Sequence, residues 1–84
     1  MKKGKTVKRK LIWDAQGIEL LAKKLVEIRA KHGYTQEDLA YESGLSLSQI
    51  ARIETMKINP TVSTIFKIAR TLKIKPSELL DFKL

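Results

Sequence analysis

The stretch Gln36 to Glu54, QEDLAYESGLSLSQIARIE, decides the fold of this chain. Thr35 stands immediately before it and is suited to cap a helix. Asp38, three residues on, makes a capping-box-like arrangement, with Asp where Glu or Gln is usual. Glu37 and Asp38 suit the positive end of that helix dipole. Leu39 and Ala40 face inward, and Gly44 closes the helix after about two turns. Ser46 can cap the next helix, whose inward residues are Ile50 and Ile53. Two short helices joined by so tight a turn must cross closely. Ala40 is small enough to permit the approach, and Gly44 can adopt left-handed backbone at little steric cost. Ile50 fills the crevice between the helices, while Leu39, Leu45 and Ile53 seal the rest.

Taken singly these residues are common in helical hairpins. Together, at this spacing, they are a specific signal for a helix-turn-helix that lays its second helix in the DNA major groove. That reading helix is expected over residues 47–55.

Working outward, Asp14 can cap a first helix, although Gly17 weakens its first turn. Ile18, Leu21, Leu25 and Ile28 recur at helical steps, with Lys23, Lys24, Glu27 and Lys31 mostly on the other face. Gly33 is a natural stop. On the other side, Asn59-Pro60 marks a loop, because proline disfavours helix in the residue before it. Thr61 can cap a fourth helix with Val62, Ile65, Phe66, Ala69 and Leu72 expected inward. Pro76 suits the first position of a short fifth helix carrying Leu79 and Leu80. Thr71 to Ile74 is ambiguous between helix and strand. The expected architecture is all-α: a compact five-helix domain over residues 14–84, preceded by a flexible basic arm over residues 1–13.

The composition narrows the function. With 84 residues, 43% hydrophobic and 31% charged, the chain suits one soluble domain with one modest core. It has no cysteine and a single histidine, His32, so thiolate or His-based metal and catalytic sites are not expected, nor is a cofactor. Cysteine usage is compatible with a reducing cytoplasm. No apolar run approaches the length of a membrane span, and Leu11-Ile12-Trp13 is too short for a signal peptide. The net charge of +8 is unevenly placed. Residues 1–10 hold six of the 17 basic side chains and no acid, so the remaining 74 residues carry 11 basic and nine acidic groups, a balance of +2. Such an arm is either a solvated tail or a phosphate-seeking segment that releases counterions from nucleic acid.

The run Thr35-Gln36-Glu37-Asp38-Leu39-Ala40, then Gly44-Leu45-Ser46, Ile50-Ala51-Arg52-Ile53-Glu54 and Asn59-Pro60-Thr61, closely resembles the phage repressor and Cro family. The resemblance covers about Leu20 to Leu80. It implies a lambda-repressor-like five-helix domain whose third helix reads double-stranded DNA, in many members as a homodimer on a palindromic operator. By the same resemblance Gln36 contacts a backbone phosphate, the alternative being a solvated first-turn glutamine. Ser46 caps the reading helix, and Leu47, Ser48, Ala51 and Arg52 take its outward positions. Arg52 can pair bidentately with guanine, or else contact a phosphate or a neighbouring acid. Leu47 departs from the polar residue often found at its place, so it either touches a thymine methyl or folds onto the core. Lys57, Asn59 and Thr61 flank a phosphate in the resemblance, and Arg29 and Glu54 match a partly buried ion pair.

Leu79, Leu80, Phe82 and Leu84 either complete the core or form a two-fold interface. Trp13 is expected to staple the arm to the first helix, or to join that interface. The leading function is a transcriptional regulator, a repressor or autoregulator, in a phage, restriction-modification or antitoxin setting; the stretch TQEDLAYES, Thr35 to Ser43, looks especially like controller proteins. The competing function is a protein-interaction module that holds a toxin or polymerase partner on its C-terminal helix. Catalysis is not expected: Glu37, Asp38 and Glu42 form an ordinary solvated face, with no phosphate loop and no nucleophile-base pair. Single-stranded RNA binding lacks its aromatic stacking surface.

Overall fold

The computed structural model describes residues 11–84. Five helices follow in order: α1 Ala15–Lys31, α2 Gln36–Ser43, α3 Leu47–Glu54, α4 Val62–Leu72 and α5 Pro76–Leu79. No strand occurs among the described residues, and the ambiguous stretch at Thr71 resolves as the end of α4. The six basic residues of the arm lie outside the described residues.

Local chemistry sets the ends of these helices. Asp14 accepts the N–H of Gly17 at 2.9 Å and opens α1. Thr35 and Asp38 form a full reciprocal capping box at α2, and Ser46 and Gln49 form another at α3. The Thr61 hydroxyl accepts the Thr64 N–H and opens α4. α1 ends in a Schellman motif, in which the N–H groups of Gly33 and Tyr34 bond back to the carbonyls of Ala30 and Arg29. α3 ends the same way one residue earlier than expected, with Thr55 as its cap. There the left-handed position is filled by Met56, at φ 62°, and Lys57 N–H reaches the Arg52 carbonyl at 2.8 Å.

The core gathers Leu21, Leu25 and Ile28 of α1, Leu39 and Ala40 of α2, Ile50 and Ile53 of α3, Ile65, Ile68, Ala69 and Leu72 of α4, and Leu79 of α5. α2 packs on α3 and α4, α1 on α3 and α5, and α4 on α5. Each fully buried Leu or Ile contributes roughly 1.5–3 kcal/mol, which helices this short need because their intrinsic stability is marginal.

The burial of α4 differs from the sequence expectation. Val62 and Phe66 are 64% and 42% exposed, while Ile68 is fully buried. The apolar side chains of the helix spread over a wider arc than the core takes in, and only one stripe of them is buried. Packing against α2 and α5 selects Ile65, Ile68, Ala69 and Leu72. Leu79 completes the core, whereas Leu80 and Leu84 remain exposed and Phe82 packs partly against it.

Candidate nucleic-acid interface

The turn between α2 and α3 brings the reading helix into position. Gly44 sits at φ 78° and its N–H bonds to the Ala40 carbonyl at 3.0 Å. Ser43 is buried, and its hydroxyl both donates to the Ala40 carbonyl and accepts from Leu45 N–H. These bonds satisfy the turn's polar groups, so the helices cross with no orphaned donor at the junction.

α3 then has two faces. Ile50 and Ile53 are 0% and 2% exposed and anchor it to the core. Leu47, Ser48, Ala51 and Arg52 share the opposite face, since positions three and four apart stack on a helix. Arg52 and Ser48 are exposed, Ala51 is half-buried, and Leu47 stays partly exposed instead of folding onto the core. Arg52 makes no ion pair among the described residues, which leaves its guanidinium fork available to a ligand. The two caps of α3 commit Ser46 and Gln49 to the helix start: the Ser46 hydroxyl accepts from Gln49 N–H, and the Gln49 amide oxygen accepts from Ser46 N–H.

Gln36, first residue of α2, is half-buried, and its Nε2 donates to Glu54 Oε1 at 2.8 Å. It is therefore no freely solvated side chain. Glu54 also accepts from both Arg29 Nε, at 2.6 Å, and Arg29 Nη2, at 2.9 Å. The third guanidinium nitrogen donates to the Tyr34 carbonyl at 2.9 Å. The hydrogen bonds to Glu54 raise the Arg29 pKa, outweighing the opposing effect of burial. The start of α2, the last turn of α1 and the end of α3 thus meet on one carboxylate. The acidic first turn of α2 is itself occupied: hydrogen bonds from Thr35, its backbone N–H foremost, hold the Asp38 carboxyl below its ordinary pKa.

Beyond α3, Lys57 is exposed in the loop, and Thr61 is committed to its cap. The Asn59 amide reaches the Ile12 carbonyl at 3.4 Å, bringing the start of the described chain beside this loop. On the flank of the loop lies an apolar groove lined by Ile12, Ile18, Val62, Phe66, Leu80 and Leu84 among others. Trp13 is half exposed. The links of Gln36 to Glu54 and of Asn59 to Ile12 have no sequence signal, since each joins residues far apart along the chain.

Comparison with known proteins agrees with this geometry. A model of the helix-turn-helix family matches residues 19–79. An uncharacterised HTH-type transcriptional regulator of Archaeoglobus fulgidus is 39% identical over 56 residues, covering 67% of this chain and 80% of its own. The restriction-modification controller protein C.AhdI from Aeromonas hydrophila superposes with a TM-score of 0.72 at 35% identity, over 74% of this chain and 94% of that one. The controller C.Esp1396I, solved as a tetramer on its natural 35-base-pair operator, gives 0.73 at 29% identity, over 79% and 87%. With a reading helix held outward from a shared core and a family match across most of its length, the chain belongs to the helix-turn-helix family of DNA-binding transcriptional regulators.

Proposed function

We propose that this chain is an operator-binding repressor or autoregulator that reads a short palindrome as a homodimer. One observation carries the reading: the outward face of α3 presents Arg52 without an ion pair among the described residues, on a helix anchored by Ile50 and Ile53 and capped at its start. Arg52 donates bidentately to guanine O6 and N7, and Leu47, Ser48 and Ala51 contact neighbouring bases or sugars. Gln36, Ser46, Lys57, Asn59 and Thr61 border the phosphates on either side and set the register. The setting is the cytoplasm, where a bacterial-type regulator meets its DNA.

The assembly of C.Esp1396I on its operator supports a multi-copy mode of action. Two half-sites about 34–36 Å apart let two small readers share one palindrome. The apolar groove supports the same reading, because Val62, Phe66, Leu80 and Leu84 present apolar surface that a second copy of the chain would cover. We assign the basic arm over residues 1–13 to the phosphate strand, because Ile12, near the arm's C-terminal end, lies beside the loop at Asn59. Deleting residues 1–10 is expected to flatten the slope of log affinity against log salt by about 0.9 for each phosphate that the arm no longer neutralises. An unchanged slope removes the arm from the interface.

Selection from a random duplex pool at about 150 mM salt tests the whole reading, because non-specific binding weakens steeply with salt. A palindromic motif is the expected result. Weak, strongly salt-dependent binding without a motif would overturn it.

A further inference from the structure

Glu54 does more than balance Arg29. The guanidinium alone supplies two donors to the two carboxylate oxygens, which is enough to pair the charge. A third donor, the Gln36 amide, nevertheless reaches the same carboxylate at 2.8 Å. Glu54 is the last residue of α3 and Gln36 the first of α2, so this bond ties together the two helix ends that border the reading face.

The chemistry of the pair restricts the amide. An ionised carboxylate only accepts, so Gln36 must present its NH2 group to Glu54. The side-chain carbonyl then points away, and one N–H remains for another acceptor. A glutamine in water samples many rotamers and both orientations of its amide. This one is held at one distance from α3, with a defined polarity. The side chain of Glu54 is 5% exposed and that of Arg29 is 15% exposed, so the anchor itself is rigid. Arg29 has a second effect. An unpaired carboxylate one amide away from a phosphate would repel it, and the bidentate guanidinium cancels that charge.

We infer that Glu54 is a positioning residue for DNA binding: it fixes the Gln36 amide, neutralised from behind by Arg29, so that the free N–H meets a backbone phosphate without losing rotamer freedom on binding. This rests on the reading of Gln36 as a phosphate contact. Freezing such a side chain at an interface weakens binding by between about twofold and tenfold. In this chain folding has already frozen it.

The test compares four chains on one selected operator duplex: wild type, Gln36→Ala, the paired replacement Arg29→Met with Glu54→Met, and all three substitutions together. Replacing both ions by apolar side chains of similar length preserves folding in the way that removing one does not. Anisotropy titrations give the affinities, and thermal unfolding confirms that each chain is folded. Gln36→Ala is expected to weaken wild-type binding about tenfold, and to cost no more than about threefold where the two methionines have removed the anchor. An equal tenfold loss in both backgrounds would show that Glu54 serves the fold alone, and would overturn the inference while leaving Gln36 a phosphate contact. No loss in the wild-type background would overturn the phosphate reading of Gln36 itself. Should the methionine pair not fold, the wild-type chain decides through its side-chain amide spectrum. Slower exchange and better-separated amide protons for Gln36 than for the exposed Gln16 support the inference, and indistinguishable behaviour overturns it.

Discussion

The guanidinium of Arg29 and the carboxylate of Glu54, 25 residues apart in sequence, meet through two hydrogen bonds of 2.6 and 2.9 Å. Helix α1 is thereby clamped to the end of the reading helix. Removing one partner leaves a mostly buried charge without compensation, at a cost of about 3–5 kcal/mol. Glu54→Ala is expected to lose that much in urea unfolding. Joint replacement by methionine is expected to recover most of it. A Glu54→Ala chain as stable as wild type would show that the pair is solvated and weak.

Loss of the Arg52 side chain is expected to separate reading from folding. The side chain is exposed and forms no ion pair among the described residues. Arg52→Ala is therefore expected to change stability by less than about 0.5 kcal/mol. Binding is expected to fall by about 1–3 kcal/mol, with the loss of preference concentrated at one base pair of each half-site. Repeating the pool selection with the variant measures this directly. A uniform loss across all sequences would make Arg52 a phosphate contact.

The Thr35–Asp38 box gives the start of α2 a pH dependence of known sign. Asp38 titrates below its ordinary value in the folded chain because Thr35 donates to its ionised form. A depressed carboxyl pKa adds stability above the unfolded value, about 4, and that stability is lost as the pH falls through the lower folded value. The melting-temperature gap between wild type and Asp38→Asn is expected to be constant near neutrality and to close below about pH 4. Thr35→Ala removes the other half of the box and is expected to cost about 1 kcal/mol. A gap that persists to pH 2 would place its origin elsewhere.

Phe66 tests the second copy. At 42% exposure it can take a charge without opening the core, whereas the fully buried Ile68 of the same helix cannot. Phe66→Asp is expected to leave the helical content intact, to shift sedimentation from dimer to monomer, and to weaken operator binding at least tenfold, because each half-site is then bound alone. A variant that still sediments as a dimer would move the interface to another face.

What the amino-acid sequence determined by itself is the punctuation and the motif. Asp14, Thr35, Ser46 and Thr61 cap helices in the structure, Pro76 opens α5, and Gly33 and Gly44 occupy left-handed turns. Each of these is decided within three or four residues of chain, so each leaves a local pattern. The inward set of the helix-turn-helix, Leu39, Ala40, Ile50 and Ile53, was legible for the same reason: two short helices with one crossing leave a single face to bury.

Tertiary structure alone decided what depends on partners distant in sequence. Which apolar stripe of α4 enters the core was set by α2 and α5, so Ile68 is inside and Phe66 outside although both fit helical spacing. The cap position of Met56 is likewise unmarked, since a non-glycine residue gives no sign of a left-handed turn. The capture of Gln36 by Glu54 depends on the crossing of α2 and α3. Local rules act through backbone torsions and neighbouring donors. A hydrogen bond across 18 residues exists only once the packing of the helices has brought its two ends together.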